Sequence, residues 1–374
     1  MKYYIIAGEA SGDLHASFLI QEIKNKDKDA QIHAFGGEMM RHAGANIIKS
    51  IKELSFMGFI EVVANLKTVL KNIKFCKQDI LSFNPNCVIL VDFAGFNMRI
   101  AAFCKRHNIK AFYYISPKVW AWNTGRVKKM KNVLSRMFVI FPFEKHFFAK
   151  YNFDVEYYGN PLLDEISSYN AKNDIETFLK ANNLGSKPIV AILPGSRKQE
   201  ISRMLSVQAR LADKYADFDF VLAAMSSFPK EYYSSIIGDS HVKIVWDSTY
   251  SLLNCAYCAL VCSGTATLET ALFNVPEVVC YKGNPISFAI GKIVVRVKYI
   301  SLVNLILGKA AVVELLQNDW NEQALEKEFK HIAYDDNYRS QMQMNYSNLK
   351  TILGSAGCSE KVAQRMIDLA RENN

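Results

Sequence analysis

The sequence predicts an α/β protein built as two doubly wound parallel sheets in tandem, and three observations carry that expectation. Apolar runs of strand length alternate with stretches of helical periodicity through the first half of the chain. The same alternation begins again after a polar stretch near the middle. A length of 374 residues also exceeds what one core comfortably holds, so each half is long enough to bury its own. Half of the residues are hydrophobic and 22% are charged, without low-complexity segments, which excludes a disordered chain.

In order, a strand over 2–7 leads through a loop at 8–13 into a helix ending near Lys24, and a strand over 31–35 reaches Gly36 and Gly37. After a long helix come a strand over 88–92, a helix over 98–107, and strands over 111–116 and 136–141. The second half places strands at 189–193, 218–223, 242–245, 256–261 and 277–281. Residues 167–187, polar and containing Asn170, Asn173, Asn182 and Gly185, read as the linker. From Asn321 onward the pattern is helical. The expected division is 1–167, 168–345 and 346–374, with the last helix, 359–371, packing back on the first domain or on a partner subunit. Ligands of open α/β sheets bind at the carboxyl ends of strands, which points to the space between the halves.

The chain starts directly on a strand, with no room for a signal peptide, and charges break its longest apolar runs short of a membrane span. The expectation is a cytoplasmic protein. Eight cysteines lie mostly in apolar runs and read as buried free thiols. Cys255 and Cys258 form a CxxC, but no second pair or nearby histidine completes a zinc set, so no metal site is expected. A net charge of +9 and a pI near 9.0 call for an acidic partner: nucleic acid, an anionic membrane face or phosphorylated small molecules. Without a zinc-finger, RNP or helix-turn-helix signature, nucleic acid ranks last, and none is expected as a partner.

The stretch over 261–276, VCSGTATLETALFNVP, reads as strand end, tight loop and helix. Backbone N–H groups at Ser263, Gly264, Thr265 and Ala266 can hold a phosphate at the helix start. Glu269, one turn in, can accept from ribose hydroxyls. An ordinary βα turn explains this stretch alone nearly as well. A second such turn weighs the balance: a strand over 189–193, then Pro194, Gly195, Ser196 and Arg197, then a helix over 200–215. Two helix starts, one carrying Arg197, suit a nucleoside diphosphate.

In the first half, the 8–13 loop is not GxGxxG and lacks an acidic ribose partner after the second strand, so no dinucleotide cofactor is expected. Asp92 ends an apolar strand, where it either caps the next helix or acts as a general base made more basic by apolar surroundings. Trp120 and Trp122 crowd one loop, as a packed corner or as a pocket wall. A helix over 59–83 carries Val62, Leu66, Val69, Leu70 and Ile73 on one stripe, widened by Phe59, Ile60 and Val63 and bordered by Lys67, Lys71, Lys74 and Lys77. Such a face suits an anionic bilayer, and a core helix explains the stripe equally well. A second stretch over 286–307 has a similar mix.

Taken together, these residues resemble the lipid-A-disaccharide synthases, a GT-B glycosyltransferase family of the outer-membrane lipid pathway. The resemblance runs over nearly the whole chain. It rests on GEASGD at 8–13, Asp92 with Phe96 and Asn97, Ser116-Pro117 with Val119-Trp120-Ala121-Trp122, and FPFE at 141–144. It continues with LPGSR at 193–197, SGTA at 263–266 with Leu268-Glu269, and Ser301-Leu302 with Asn304-Leu305. Ala94 stands where the family often has proline, Asn160 replaces a common histidine, and Val303 replaces the proline before Asn304. The first and third substitutions should alter loop stiffness; the second puts in doubt an acid–base role at 160.

The resemblance implies a GT-B fold, two Rossmann-like doubly wound domains facing a central cleft. The implied reaction is an inverting transfer of 2,3-diacylglucosamine from its UDP derivative to the 6-hydroxyl of 2,3-diacylglucosamine 1-phosphate. Asp92 would take the acceptor proton, while Arg197, the 263–266 helix start and Asn304 would hold the UDP phosphates without metal. Gly195, Ser196, Ser263, Gly264, Thr265 and Ala266 would line that site, and Glu269 would hold the ribose. Glu9, Ser11, Gly12, Asp13 and Trp120 would shape the acceptor side. The stripe Val62, Leu66, Val69, Leu70 and Ile73 would contact the cytoplasmic face of the inner membrane as a peripheral anchor. The expected partners are the two acylated sugars, that membrane face and a second copy in a homodimer. The rivals are a UDP-N-acetylglucosamine 2-epimerase and a non-catalytic nucleotide-binding protein of the membrane surface.

Overall fold

The computed structural model describes residues 1–53, 66–170, 174–284 and 297–372. The chain forms two compact units, Met1–Ser167 with Leu353–Asn374, and Ser168–Ile352. The first unit holds strands β1 (Lys2–Ala7), β2 (Gln31–Gly36), β3 (Asn46–Ser50), β4 (Cys87–Val91), β5 (Lys110–Tyr114), β6 (Arg136–Val139) and β7 (Glu156–Tyr157). They pair in parallel in the order β3-β2-β1-β4-β5-β6-β7. The second unit holds β8 (Ile189–Leu193), β9 (Asp219–Ala224), β10 (Lys243–Trp246), β11 (Ala256–Cys262), β12 (Glu277–Tyr281) and β13 (Val313–Leu316), also parallel. Their order is β10-β9-β8-β11-β12-β13. In each sheet the order reverses once, between β1 and β4 and between β8 and β11.

The continuous apolar runs of the sequence are what such sheets require, because helices cover both faces. In the first sheet, Tyr4, Ile6, Val88, Leu90 and Tyr113 pack toward the helices Leu66–Phe83, Ala94–Arg106 and Arg126–Val133. Their neighbours Tyr3, Ile5, Cys87, Ile89, Phe112 and Tyr114 pack toward Ala10–Lys26 and Cys358–Arg371. The last helix thus belongs to the first unit, burying Val362, Ala363, Met366 and Ile367 beside Leu19, Ile20 and Ile23. Its start is held by Asp164, whose carboxylate accepts from the N–H groups of Gly357 (2.5 Å), Cys358 (3.1 Å) and Ser359 (2.7 Å). These are donors that a helix cannot satisfy itself.

Three strands escaped the sequence reading: β3, β7 and β13, which occupy sheet edges. Edge strands are short and one-sided, so their apolar signal is weak. The stretch at 167–187 contains structure, namely the end of Pro161–Asn170 and the helix Ile175–Ala181, whose start Asp174 caps through the Thr177 N–H. Most of the apolar 286–307 stretch, up to residue 296, lies outside the described residues, and its end forms Leu302–Leu307.

Asp164→Ala should destabilise the first unit by about 1–2 kcal/mol, read as a lower urea midpoint with faster proteolysis of the last helix. An unchanged midpoint would show that the three N–H groups find other acceptors.

Candidate active site

Both points of reversal collect residues that the sequence had singled out. At β1 and β4, the chain leaves the sheet through Gly8 and Glu9 on one side and through Asp92 and Phe93 on the other. Asp92 and Phe93 both take left-handed backbone angles, φ 46° and 49°, which non-glycine residues adopt only when their surroundings hold them there. The Asn97 carboxamide N–H₂ does much of that holding, donating to the carbonyls of Val91 (3.2 Å) and Asp92 (2.8 Å), with a longer contact to Ile6 (3.4 Å). The Tyr113 hydroxyl donates to the same Asp92 carbonyl. The Phe93 ring covers Gly8 so closely that no Cβ would fit there.

The Asp92 carboxylate is half-buried, and its pKa is raised chiefly by desolvation and further by the nearby Glu9 carboxylate. The Lys118 ammonium and a hydrogen bond from the Phe93 backbone oppose the rise. The helix N-cap is Phe93, so Asp92 stands one residue outside the capping position that was its alternative role. A carboxylate whose pKa is raised in this way, beside a second acid and a lysine, is when ionised a stronger proton acceptor than a free one.

In the second unit, the 194–197 and 263–264 loops follow adjacent strands. Gly195 has φ 95°, and a Cβ there would lie 2.7 Å from Glu200 Oε2 and 2.8 Å from Cys262 Sγ. Ser196 and Arg197 are exposed at the start of Lys198–Lys214. Glu200 accepts from the Arg197 N–H (3.3 Å) and guanidinium (3.2 Å), holding the cation at the helix start. Ser263 is tied to the Cys280 carbonyl (2.9 Å), and Thr265–Leu272 begins immediately after Gly264. Glu269 lies one turn behind Thr265, half-buried, accepting from the Tyr250 hydroxyl (3.2 Å). Two helix starts and one arginine thus meet at the reversal point, an arrangement suited to a diphosphate.

The model of the lipid-A-disaccharide synthetase family matches residues 3–366 of this chain. The chain belongs to that family. The lipid-A-disaccharide synthase of Geobacter sulfurreducens is 33% identical over 371 residues, 98% of this chain and 96% of its own. Among solved structures, the UDP-GlcNAc 2-epimerase from Neisseria meningitidis bound to UDP-GlcNAc matches with a TM-score of 0.64 at 14% identity, covering 98% of this chain and 100% of its own. The S. aureus MnaA–UDP co-structure matches at 0.71 and 13%, covering 100% and 98%. At those identities the two structures show the fold alone, which is GT-B-like. The activity is that of a lipid-A-disaccharide synthase, a glycosyltransferase of lipid A biosynthesis.

Several synthase motif residues serve the scaffold, contrary to the expectations above. Asp13 is buried and accepts from the N–H groups of Gly37 (2.7 Å), Met39 (3.2 Å) and Met40 (3.2 Å), so it holds the start of Glu38–His42 instead of shaping a cleft. Gly12 packs against Ala7 and Val91. Glu9 and Ser11 alone of that loop's assigned residues are exposed. Trp120 is a packed corner: its indole N–H donates to Glu144 Oε1 (3.1 Å) and its ring meets Phe143 edge-on. Glu144, buried, also accepts from the Ser116 hydroxyl and from the N–H groups of Ile140 (3.1 Å) and Phe141 (2.9 Å). Asn160 links the Ile140 carbonyl to the Leu162 N–H.

Asn304 is likewise spent. Its amide donates to the Val312 carbonyl and Glu314 (both 2.9 Å), and its oxygen accepts from Ala311 (2.7 Å) and Val312 (3.0 Å). It is buried beside the start of β13, on a short helix that packs against Thr265–Leu272. On Leu66–Phe83, Ile73 is buried in the core and Val69 packs against it, because the 69, 73, 76, 80 row faces the sheet. Ile73 is therefore not a membrane contact. Leu70 is 50% exposed; Val62 and the Leu66 side chain lie outside the described residues.

Gly195→Ala should weaken UDP binding by at least roughly tenfold, since it strains a left-handed residue and drives a methyl group into Glu200, which holds Arg197, and into Cys262 at the end of β11. Calorimetric titration with UDP measures this; unchanged affinity would show that this close packing is not needed for the nucleotide.

Proposed function

We propose that this synthase divides its chemistry between the two reversal points, with the base on the first unit and the UDP leaving group on the second. The Asp92 carboxylate takes the proton from the 6-hydroxyl of 2,3-diacylglucosamine 1-phosphate as that oxygen attacks the anomeric carbon of UDP-2,3-diacylglucosamine. The anomeric carbon–oxygen bond breaks, its electron pair leaves with the β-phosphate of UDP, and the configuration inverts. Arg197 and the N–H groups at the start of Thr265–Leu272 neutralise the developing charge, and Glu269 holds the ribose. The observation that supports the base assignment is the half-buried Asp92 in its left-handed turn, with Glu9 raising its pKa. Glu9 and Ser11, exposed beside it, serve the acceptor.

The test is UDP release with and without the monosaccharide 1-phosphate, together with the disaccharide formed. Asp92→Asn should lower kcat by about 10²–10⁴-fold while UDP still binds. The base acts deprotonated, so kcat/KM should rise with pH through the pKa of Asp92. Glu9→Gln removes a charge that raises that pKa and should move the acid limb to lower pH. Lys118→Met should move it to higher pH. Near-normal turnover in Asp92→Asn, or limbs that do not move, would take the base role from Asp92.

The reading extends to peripheral association with the cytoplasmic face of the inner membrane. Leu70, Phe75 and Leu81 are exposed on Leu66–Phe83 among Lys67, Lys71 and Lys74. The helices covering the same sheet face add exposed Arg99, Lys105, Arg106, Lys128, Lys129 and Lys131. Among the described residues no helix is long and apolar enough to cross a membrane. Changing Leu70, Phe75 and Leu81 together to serine should weaken binding to anionic vesicles by roughly tenfold in a sedimentation assay. Unchanged binding would remove this surface from the reading.

A further inference from the structure

Tyr250 has no role in any motif above, yet its hydroxyl donates to Glu269 Oε1 at 3.2 Å. Its ring cannot move freely. It lies 5.3 Å from the Phe273 ring and 5.4 Å edge-on from Tyr169, and it packs against the buried cluster of Leu252, Leu253 and Val275. Tyr169 is itself held by a 2.6 Å hydrogen bond with Ser251, the neighbour of Tyr250. A phenol pinned by two rings presents its hydroxyl in one place. A glutamate carboxylate, by contrast, turns easily about its last torsion, where the rotamer wells are broad.

We propose that Tyr250 is a positioning residue for sugar recognition in the donor nucleotide: it sets the plane of the Glu269 carboxylate so that this group receives the ribose hydroxyls. The inference rests on the reading of Glu269 as the ribose acceptor. An ionised carboxylate offers about four acceptor sites, more than the Tyr250 hydroxyl takes. Two adjacent hydroxyls are received well only when the carboxylate lies in their plane. The hydroxyl of Tyr250 therefore acts through Glu269, without touching the nucleotide.

The experiment measures dissociation constants of the full chain for UDP and 2′-deoxy-UDP, and takes their ratio as ribose selectivity. Tyr250→Phe keeps the ring packing and removes the donor. It should lower the ratio by about 3–10-fold with the melting temperature unchanged. Glu269→Gln should lower the ratio at least as far, and the double variant should add nothing to Glu269→Gln, since both act through one carboxylate. Tyr250→Phe with wild-type selectivity, while Glu269→Gln loses it, would overturn the role of Tyr250 and leave the ribose reading intact. Equal weakening for both nucleotides in Tyr250→Phe would make Tyr250 a packing residue only and also overturn the proposal. Unaltered selectivity in Glu269→Gln would overturn the ribose reading and the inference with it.

Discussion

The Asn97 carboxamide, bonded to the carbonyls that end β4 and reaching toward β1, is the contact on which the turn that carries Asp92 depends. A parallel sheet whose order reverses must send two neighbouring strands away in opposite directions, and the gap between their carboxyl ends exposes carbonyl groups with no strand to pair them. Asn97 supplies donors to that gap from the first turns of the next helix. With it in place, the chain can leave β4 through two left-handed residues, and Asp92 is lifted out of the strand line. β5 behaves similarly: Ile115, a β-branched residue, has φ 65°, and its neighbour Ser116 is anchored on Glu144. Backbone strain of this order, about 1–3 kcal/mol per residue, persists only where surrounding bonds over-determine it.

The second unit meets the same geometric demand with different residues. Its reversal point uses Gly195, where the left-handed angle costs little and the missing Cβ leaves room for the Glu200 carboxylate and the Cys262 thiol. The functional groups there are backbone N–H donors, which need close approach and not lift. The contrast follows from what each site must hold. A base needs a side chain set apart from solvent, whereas a diphosphate needs several donors converging on one place.

Much of this was legible in the sequence, and the failures share one cause. The strand runs, the two glycine-bearing turns and the strand-end position of Asp92 were legible because periodicity and turn chemistry are local signals. Their convergence at two reversal points followed from strand order, which alternation alone does not give. Asp13, Trp120 and Asn304 all sit in recognisable motifs and are bonded within the protein, and a motif does not say whether a polar group faces a ligand or the scaffold. The same ambiguity misplaced Ile73: a stripe at helical spacing is identical for a core face and a membrane face until the neighbouring sheet is known. Tyr250 gave no signal, because its partner lies on another helix.

Counting donors resolves that ambiguity physically. A buried carboxylate or carboxamide bonded within the protein, as in Asp13, Glu144 and Asn304, binds a ligand only by giving up internal hydrogen bonds, at about 1–3 kcal/mol for each buried group left unsatisfied. Evolution can keep such residues invariant for the fold alone. Asp92 fails that count in the opposite sense: what acts on it is chiefly desolvation and a like charge, both of which make its ionised form costly. A reaction that must take a proton from a sugar hydroxyl gains from a carboxylate of raised proton affinity, and in this sense the electrostatics at Asp92 support the base role proposed for it.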